Sequence, residues 1–226
     1  MAAKKRFFIT ATDTDAGKTF VAAGILAAAK RAGLATMGLK PVAAGAELVE
    51  GVLRNDDALA LMAQTSVKLT YEQINPVLLK EAIAPHIAAE NAGVSMSVAR
   101  LEGVIKGALL TPHDFALVEG AGGWRVPLNS REMLSDLAKS LNFPVILVVN
   151  MKLGCINHAT LSAEAIQRDG LNIVGWIANM GDSMPYYEEN VAAINSIITA
   201  PLLAKLTQYE NVEDSFLEFD NILSQL

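Results

Sequence analysis

Phe7-Phe8-Ile9-Thr10-Ala11-Thr12-Asp13-Thr14-Asp15-Ala16-Gly17-Lys18-Thr19 is the stretch that decides the fold. An apolar run leads into a short polar loop, and an Ala-rich helix, Phe20 to Arg31, follows. Gly17-Lys18-Thr19 ends the loop as a phosphate-binding loop ends. At the first turn of a helix the backbone N–H groups point at an anion, and the helix dipole favours its charge. Gly17 lets the backbone come close, Lys18 would reach terminal phosphates, and the Thr19 hydroxyl would ligate Mg²⁺. A strict G-x-x-x-x-G-K-[ST] pattern has Gly where this chain has Thr12. The strand before and the helix after therefore carry the reading, against an ordinary strand-to-helix turn capped by Thr or Asp.

The rest of the composition sets bounds. A chain of 226 residues with 52% hydrophobic residues suits one sizeable α/β domain, here taken as residues 1–226. The net charge of −6 and the lack of any Lys/Arg block beyond Lys4-Lys5-Arg6 argue against a nucleic-acid surface. No apolar stretch reaches membrane-spanning length and no signal-peptide pattern opens the chain, so a cytoplasmic setting without a membrane partner is expected. The single cysteine, Cys155, cannot form an intrachain disulfide or build a zinc site by itself.

Beyond the first helix, Gly33 is a stop signal, and Ala35 to Val42 reads as a second strand with Lys40 at its end. Pro41 holds Lys40 extended and ends the ladder. Carboxyl ends of strands face the ligand crevice in a parallel sheet, so Lys40 is either a phosphate- or substrate-facing group or a surface lysine. Ala43 to Val52 reads as a loop able to close over a ligand. Arg54-Asn55-Asp56-Asp57 opens a helix through Gln64, with Asn55 or Asp56 as N-cap and Asp57 as a cap or a metal ligand. Asn75-Pro76 and Ala84-Pro85-His86 mark turns, and His86 is a turn residue or a site wall. Ser95 to Leu110 is helical by its spacing of Val98, Leu101, Val104, Ile105 and Leu109.

Phe115 to Glu119 is a buried strand ending in an acid that would act on Mg²⁺. Gly120-Ala121-Gly122-Gly123-Trp124 follows, its glycines allowing close backbone approach and Trp124 being core or a ligand cover. Pro144 to Asn150 is apolar throughout, as strands between two helix layers are. A helix runs to Arg168 after Lys152-Leu153-Gly154-Cys155-Ile156-Asn157-His158, in which Cys155 reads as a small buried residue rather than a nucleophile paired with His158. Leu171 to Asn179 is a further strand, Tyr186 to Ile198 a helix, and Ala200 to Leu203 leads into a last strand. The acidic, amphipathic tail from Asp214 carries no assigned chemistry. Alternating strands and helices give a doubly wound α/β fold with a mostly parallel sheet.

Taken together, Thr12 to Thr19, Lys40-Pro41-Val42-Ala43, Arg54 to Leu61, Pro85-His86-Ile87, Val118 to Trp124 and Lys152 to Ala159 resemble the dethiobiotin synthetase family in order, over about residues 6 to 203. The resemblance implies a P-loop NTPase-like fold and an ATP- and Mg²⁺-dependent cyclo-ligase of biotin synthesis. In that family, CO₂ adds to an amine of 7,8-diaminononanoate, the carbamate takes the γ-phosphate of ATP, and the second amine closes the ring. By matching position, Lys18, Lys40 and Thr14 would serve the chemistry, and Thr19, Asp57 and Glu119 would organise Mg²⁺. Asp15, Ala16, Gly17, Lys18, Thr19, Phe20, Glu119, Gly120, Ala121, Gly122 and Asn179 would bind the nucleotide, Asn179 at adenine. Thr14, Lys40, Ala44, Lys152 and Asn157 would meet the substrate, Asn157 across a homodimer interface. This chain departs from the family at Ala11, usually Gly, and at Ala44, often a hydroxyl residue. It also diverges around Tyr186 to Asn190 and at Thr207-Gln208.

Two rival readings share the loop. A partition-type ATPase switch would carry a lysine at position 13, where this chain has Asp13. A metallochaperone GTPase would want Asn-Lys-x-Asp after the central strand, where this chain has Asn150-Met151-Lys152-Leu153.

Overall fold

The structure is a computed structural model that describes residues 4–180, 183–207 and 215–226. Gln208 and Asp214, both singled out in the sequence, lie outside the described residues. Six strands form a parallel sheet in the order β10 (Leu202–Leu206), β9 (Ile173–Asn179), β8 (Val145–Asn150), β1 (Lys5–Ala11), β7 (Phe115–Glu119), β2 (Thr36–Leu39). The strand pattern of β1 divides the core. Phe7, Ile9 and Ala11 pack on one face with α1 (Lys18–Arg31) and α9 (Phe216–Gln225). Phe8 packs on the other face, which is covered by residues of α5 (Val98–Ala108), α6 (Leu134–Leu141), α7 (Cys155–Arg168) and α8 (Tyr187–Ile197). Helices on both faces of a parallel sheet make the fold doubly wound.

α1 begins at Lys18, two residues before the helix expected from the sequence. Its Gly24 is a notch: a Cβ there would lie 2.3 Å from the Phe219 ring, so only glycine admits α9 this closely. Phe20 meets the same ring edge-on at 5.4 Å.

Two expectations are corrected between β2 and α2 (Asp56–Gln64). The second strand ends at Leu39, and Lys40-Pro41 breaks the chain away. Val42–Ala44 becomes β3, which pairs in parallel with β6 (Val77–Leu79) in a separate two-stranded sheet. The expected loop over residues 43–52 instead contains that strand and a hairpin, β4 (Glu47–Val49) and β5 (Val52–Arg54), turning at Glu50-Gly51, both with positive φ. α3 (Tyr71–Ile74), held by a capping box from Thr70 and Gln73, and α4 (Pro85–Asn91) fill stretches read only as turns, and α6 was not anticipated.

Candidate active site

The phosphate loop leaves the carboxyl end of β1, a central strand, and its first residue is fastened twice to the neighbouring strand β8. The Thr12 N–H donates to the Val148 carbonyl (3.0 Å), and the Thr12 hydroxyl accepts from the Asn150 N–H (3.1 Å). A glycine at position 12 would forfeit that second bond. Ala11, the departure at the start of the loop, is the last residue of β1; its φ is not positive and its methyl is buried in the core around α1, so the side chain fits without strain. At the other end Gly17 has φ +82°, and a Cβ there would fall 2.2 Å from the Asn179 amide nitrogen. Asn179 holds this turn by donating to the Ala16 carbonyl at 2.9 Å.

A cleft of about 910 Å³ opens above the loop. Thr14, Asp15, Gly17, Lys18, Thr19, Lys40, Ala44, Asp57, Ala121 and Gly122 line it, so most of the residues expected from the sequence converge. Below them Glu119 is fully buried at the end of β7. Its Oε1 accepts from the Thr19 hydroxyl (2.8 Å) and from Lys40 Nζ (2.5 Å). Lys40, 2% exposed, also donates to Asp57 Oδ2 (2.7 Å) and to the Gly120 carbonyl (3.3 Å). Asp57 arrives on the first turn of α2, whose N-cap is Asn55.

The charges in this floor shape one another. Burial pulls the Lys40 ammonium down, but Glu119 and Asp57 together outweigh it and leave its pKa above the ordinary value. Burial acts against the Asp57 carboxylate as well, and Lys40 overcomes it, holding its pKa low. Among the described residues no such carboxylate is in contact with Lys18. Burial, then repulsion from Lys40, brings its pKa from 10.5 to about 8. Its ammonium rests on the Asp13 carbonyl at 3.1 Å.

The donor set fits a hard divalent cation. Glu119 Oε2 is buried with no hydrogen-bond partner among the described residues, beside the Thr19 hydroxyl and across Lys40 from Asp57. Among the described residues there is no cluster of three or more His, Cys, Asp or Glu. Mg²⁺ needs none: it takes one or two carboxylates, with water and substrate phosphates filling its octahedron.

Other expected residues lie beside the cleft. Lys152 caps the loop from outside, pairing with Asp13 at 2.8 Å with both side chains about half exposed, and this hydrogen bond holds the Asp13 carboxyl low. Asn157 is exposed on the first turn of α7. Phe20 faces α9. Pro85, not His86, lines the cleft. Trp124 is core: it meets the Phe8 ring edge-on at 6.1 Å and donates to Asp169 at 2.8 Å. Cys155 is buried, and burial raises its thiol pKa.

Sequence reasoning did not find the apolar wall formed by Val42, Ala82, Ile83, Ala84, Val126 and Pro127. Its signal was available: these segments directly follow Lys40-Pro41, β6 and the glycine run after β7, where a parallel fold presents its ligand crevice.

Residues 5–215 match the family described as AAA domain. Among curated proteins, the chain is 60% identical over 201 residues to the ATP-dependent dethiobiotin synthetase BioD of Cellvibrio japonicus, covering 88% of each chain. It is 55% identical over 205 residues to the protein of that name from Pseudomonas aeruginosa, covering 90% of each. To that of Marinobacter nauticus it is 47% identical over 225 residues, covering 99% of this chain and 95% of the other. Among solved structures, the MinC:MinD cell division complex of Aquifex aeolicus matches with a TM-score of 0.63 at 14% identity, over 98% of this chain and 95% of that one. MinD of Pyrococcus horikoshii, solved with Mg-ADP, matches with a TM-score of 0.58 at 21% identity, over 99% and 89%. At these identities the structural likeness concerns the fold.

Proposed function

Since the chain belongs to the dethiobiotin synthetase family and is an ATP-dependent ligase of biotin synthesis, we propose that its cleft unites ATP, CO₂ and 7,8-diaminononanoate. An amine of the diamine adds to CO₂ and loses a proton, giving a carbamate. A carbamate oxygen attacks the γ-phosphorus of ATP and ADP departs, leaving a carbamic–phosphoric anhydride. The second amine then attacks the anhydride carbon, phosphate leaves, and the cyclic urea of dethiobiotin is formed.

The observation that supports this reading best is the buried Lys40 ammonium, fixed between Glu119 and Asp57 at the floor of the cleft beside the phosphate loop. Carbamate and triphosphate are both anions, so their approach needs fixed positive charge aimed at the oxygens where charge collects. Lys18 serves the phosphates and Lys40 the carbamate and the transferring phosphoryl group, with the Thr14 hydroxyl nearby. Loop N–H groups from Asp15 to Phe20 hold the β- and γ-phosphates, and Asn179, whose amide donates to the Ala16 carbonyl, meets adenine from the end of β9. Thr19, Asp57 and Glu119 would hold Mg²⁺, which when bound would neutralise phosphate oxygens. The wall from Ala44 to Pro127 shields the polymethylene chain of the diamine. Ala44 contributes only its main chain there, its carbonyl already accepting from Asn55 at 3.2 Å. Glu119-Gly120-Ala121-Gly122 closes the far side of the nucleotide.

Lys152 and the exposed Asn157 belong to a substrate-carboxylate site completed by a second copy of the chain, working as a homodimer in the cytoplasm with residues 1–226 as one domain. No helix of the described residues is long and apolar enough to cross a membrane. The partition-type reading loses its ground at position 13: the carboxylate there is engaged with Lys152.

The test is dethiobiotin formation and phosphate release from Mg·ATP and bicarbonate, with and without the diamine, for the wild type and Lys40→Ala. Diamine-dependent release that collapses in the variant is expected. Diamine-independent hydrolysis, indifferent to the substitution, would refute the reading.

A further inference from the structure

We propose that Tyr71 and Asn75 are positioning residues for the reaction: a buried polar relay through them sets Lys40 and Asp57 in register with each other. The proposal rests on the placement of Lys40 and Asp57 at the reacting groups argued above.

The need for such a relay comes from the chain path. β2 ends at Leu39, Pro41 has no N–H, and the chain crosses from the six-stranded sheet to the small one at Lys40. The main chain of the functional lysine therefore sits where the β2 ladder has ended. A buried carbonyl without a partner is costly, and a lysine on an unfastened peptide would not hold a fixed ammonium.

The end of α3 supplies both missing bonds. The Lys40 N–H donates to the Ile74 carbonyl at 2.8 Å, and the Asn75 amide donates to the Lys40 carbonyl at 2.7 Å and to Val77 at 3.2 Å. The Tyr71 hydroxyl donates to Asn75 Oδ1 at 3.3 Å, fixing which way that amide points. The same hydroxyl accepts the Asn55 N–H at 2.9 Å. Asn55 is the N-cap of α2, and its side chain accepts from Ala58 N–H and donates to the Ala44 carbonyl. One phenol thus joins the lysine's main chain to the helix that carries Asp57.

Tyr71, Asn75 and Asn55 are 6%, 3% and 8% exposed, so water does not substitute for these bonds readily. None of them is needed for the phosphate loop itself, which hangs from β1, β8 and Asn179. That separation makes the proposal specific. Loosening the relay should disturb Lys40 and Asp57 and spare nucleotide capture by Lys18 and the loop.

The experiment uses the full chain with Tyr71→Phe, which removes one oxygen, alongside Asn75→Asp and Lys40→Ala. Steady-state kcat and KM for ATP and the diamine are measured, together with the Lys40 ammonium resonance by ¹⁵N NMR and the folded fraction by circular dichroism at the assay temperature. Tyr71→Phe should stay folded, lower kcat roughly tenfold to a hundredfold, and leave KM for ATP within about twofold, the scale expected for misplacing a charged group by a fraction of an ångström to an ångström. Its Lys40 resonance should shift or broaden. If Tyr71→Phe does not fold, Asn75→Asp, which swaps the donor to Lys40 for an acceptor, is read by the same criteria. A folded variant with wild-type kcat and an unmoved Lys40 resonance, losing only thermal stability, would overturn the proposal while an inactive Lys40→Ala left the functional reading intact. A fully active Lys40→Ala would bring down both.

Discussion

Binding of nucleotide should draw a proton from solution, and Lys18 is the reason. In the ligand-free protein its pKa is about 8, because burial and then Lys40 disfavour the ammonium. A polyphosphate beside it reverses the balance and returns the group to at least its ordinary range. At pH 8 Lys18 is half protonated when free and fully protonated when bound, so about half a proton is taken up per nucleotide; at pH 9 the figure is about 0.9. Affinity must then fall roughly fivefold between pH 8 and pH 9, since an increasing share of the free protein has to be protonated first. Lys40 contributes nothing here, because its pKa is raised and it stays charged throughout. The assay is calorimetry of Mg·ADP binding in buffers of differing ionisation enthalpy, at pH values where the phosphates of the nucleotide are ionised. Lys18→Arg, which keeps the charge and does not titrate, should bind without proton uptake. Buffer-independent heats at pH 8 and 9, or uptake that persists in Lys18→Arg, would refute the reasoning. The sign for folding follows the same shift. Between about 8 and 10.5 the unfolded chain holds more protons at Lys18 than the ligand-free native state does. This group's contribution to stability therefore rises with pH across that window.

Three further outcomes follow from packing and charge. Glu119→Gln removes one of two carboxylates holding a buried ammonium and should lower unfolding free energy by about 3 kcal/mol in urea titrations, with Mg²⁺ affinity reduced as well. Gly24→Ala sets a methyl against the Phe219 ring and should cost about 1–3 kcal/mol despite alanine's better helix propensity, visible as a lower melting temperature. Gly17→Ala combines a positive φ with a collision at Asn179, and nucleotide binding by calorimetry should be lost even where the circular dichroism spectrum is retained.

Much of the site was legible because its signals are local. A strand, a Gly-Lys-Thr turn and a helix occur in one stretch, and Phe115–Glu119 with its glycine run occurs in another; in each case the chemistry lies next to the structural pattern that positions it. Lys40 was legible for the same reason, through Pro41. What escaped was non-local or ambiguous. Residues 43–54 hold small residues and two glycines, which suit a loop, and the pairing of Glu47 with Arg54 that makes a hairpin is not visible as strict alternation. Asn75-Pro76 carries a turn signal, yet the work of Asn75 is done at Lys40, far away in sequence. Tyr71 showed no motif at all: one of its partners, Asn75, closes its own helix, and the other, Asn55, comes from a separate segment. The apolar wall is assembled from several strand ends, each unremarkable alone.

The strand order also sets two clocks in the molecule. β1 is bonded on both sides, to β7 and β8, and helices cover its two faces. Its amides should exchange with deuterium only when the whole domain unfolds. Among the described residues the β4–β5 hairpin pairs only with itself, and it exposes Leu48, Val49, Val52 and Leu53. Its amides should exchange by local opening, orders of magnitude sooner. The phosphate loop is thus mounted on a strand expected to exchange slowly, while the chain between Ala44 and Asn55, two residues of the cleft wall, is expected to exchange fast. Opening of that rim would let substrates pass without disturbing the charged floor that receives them.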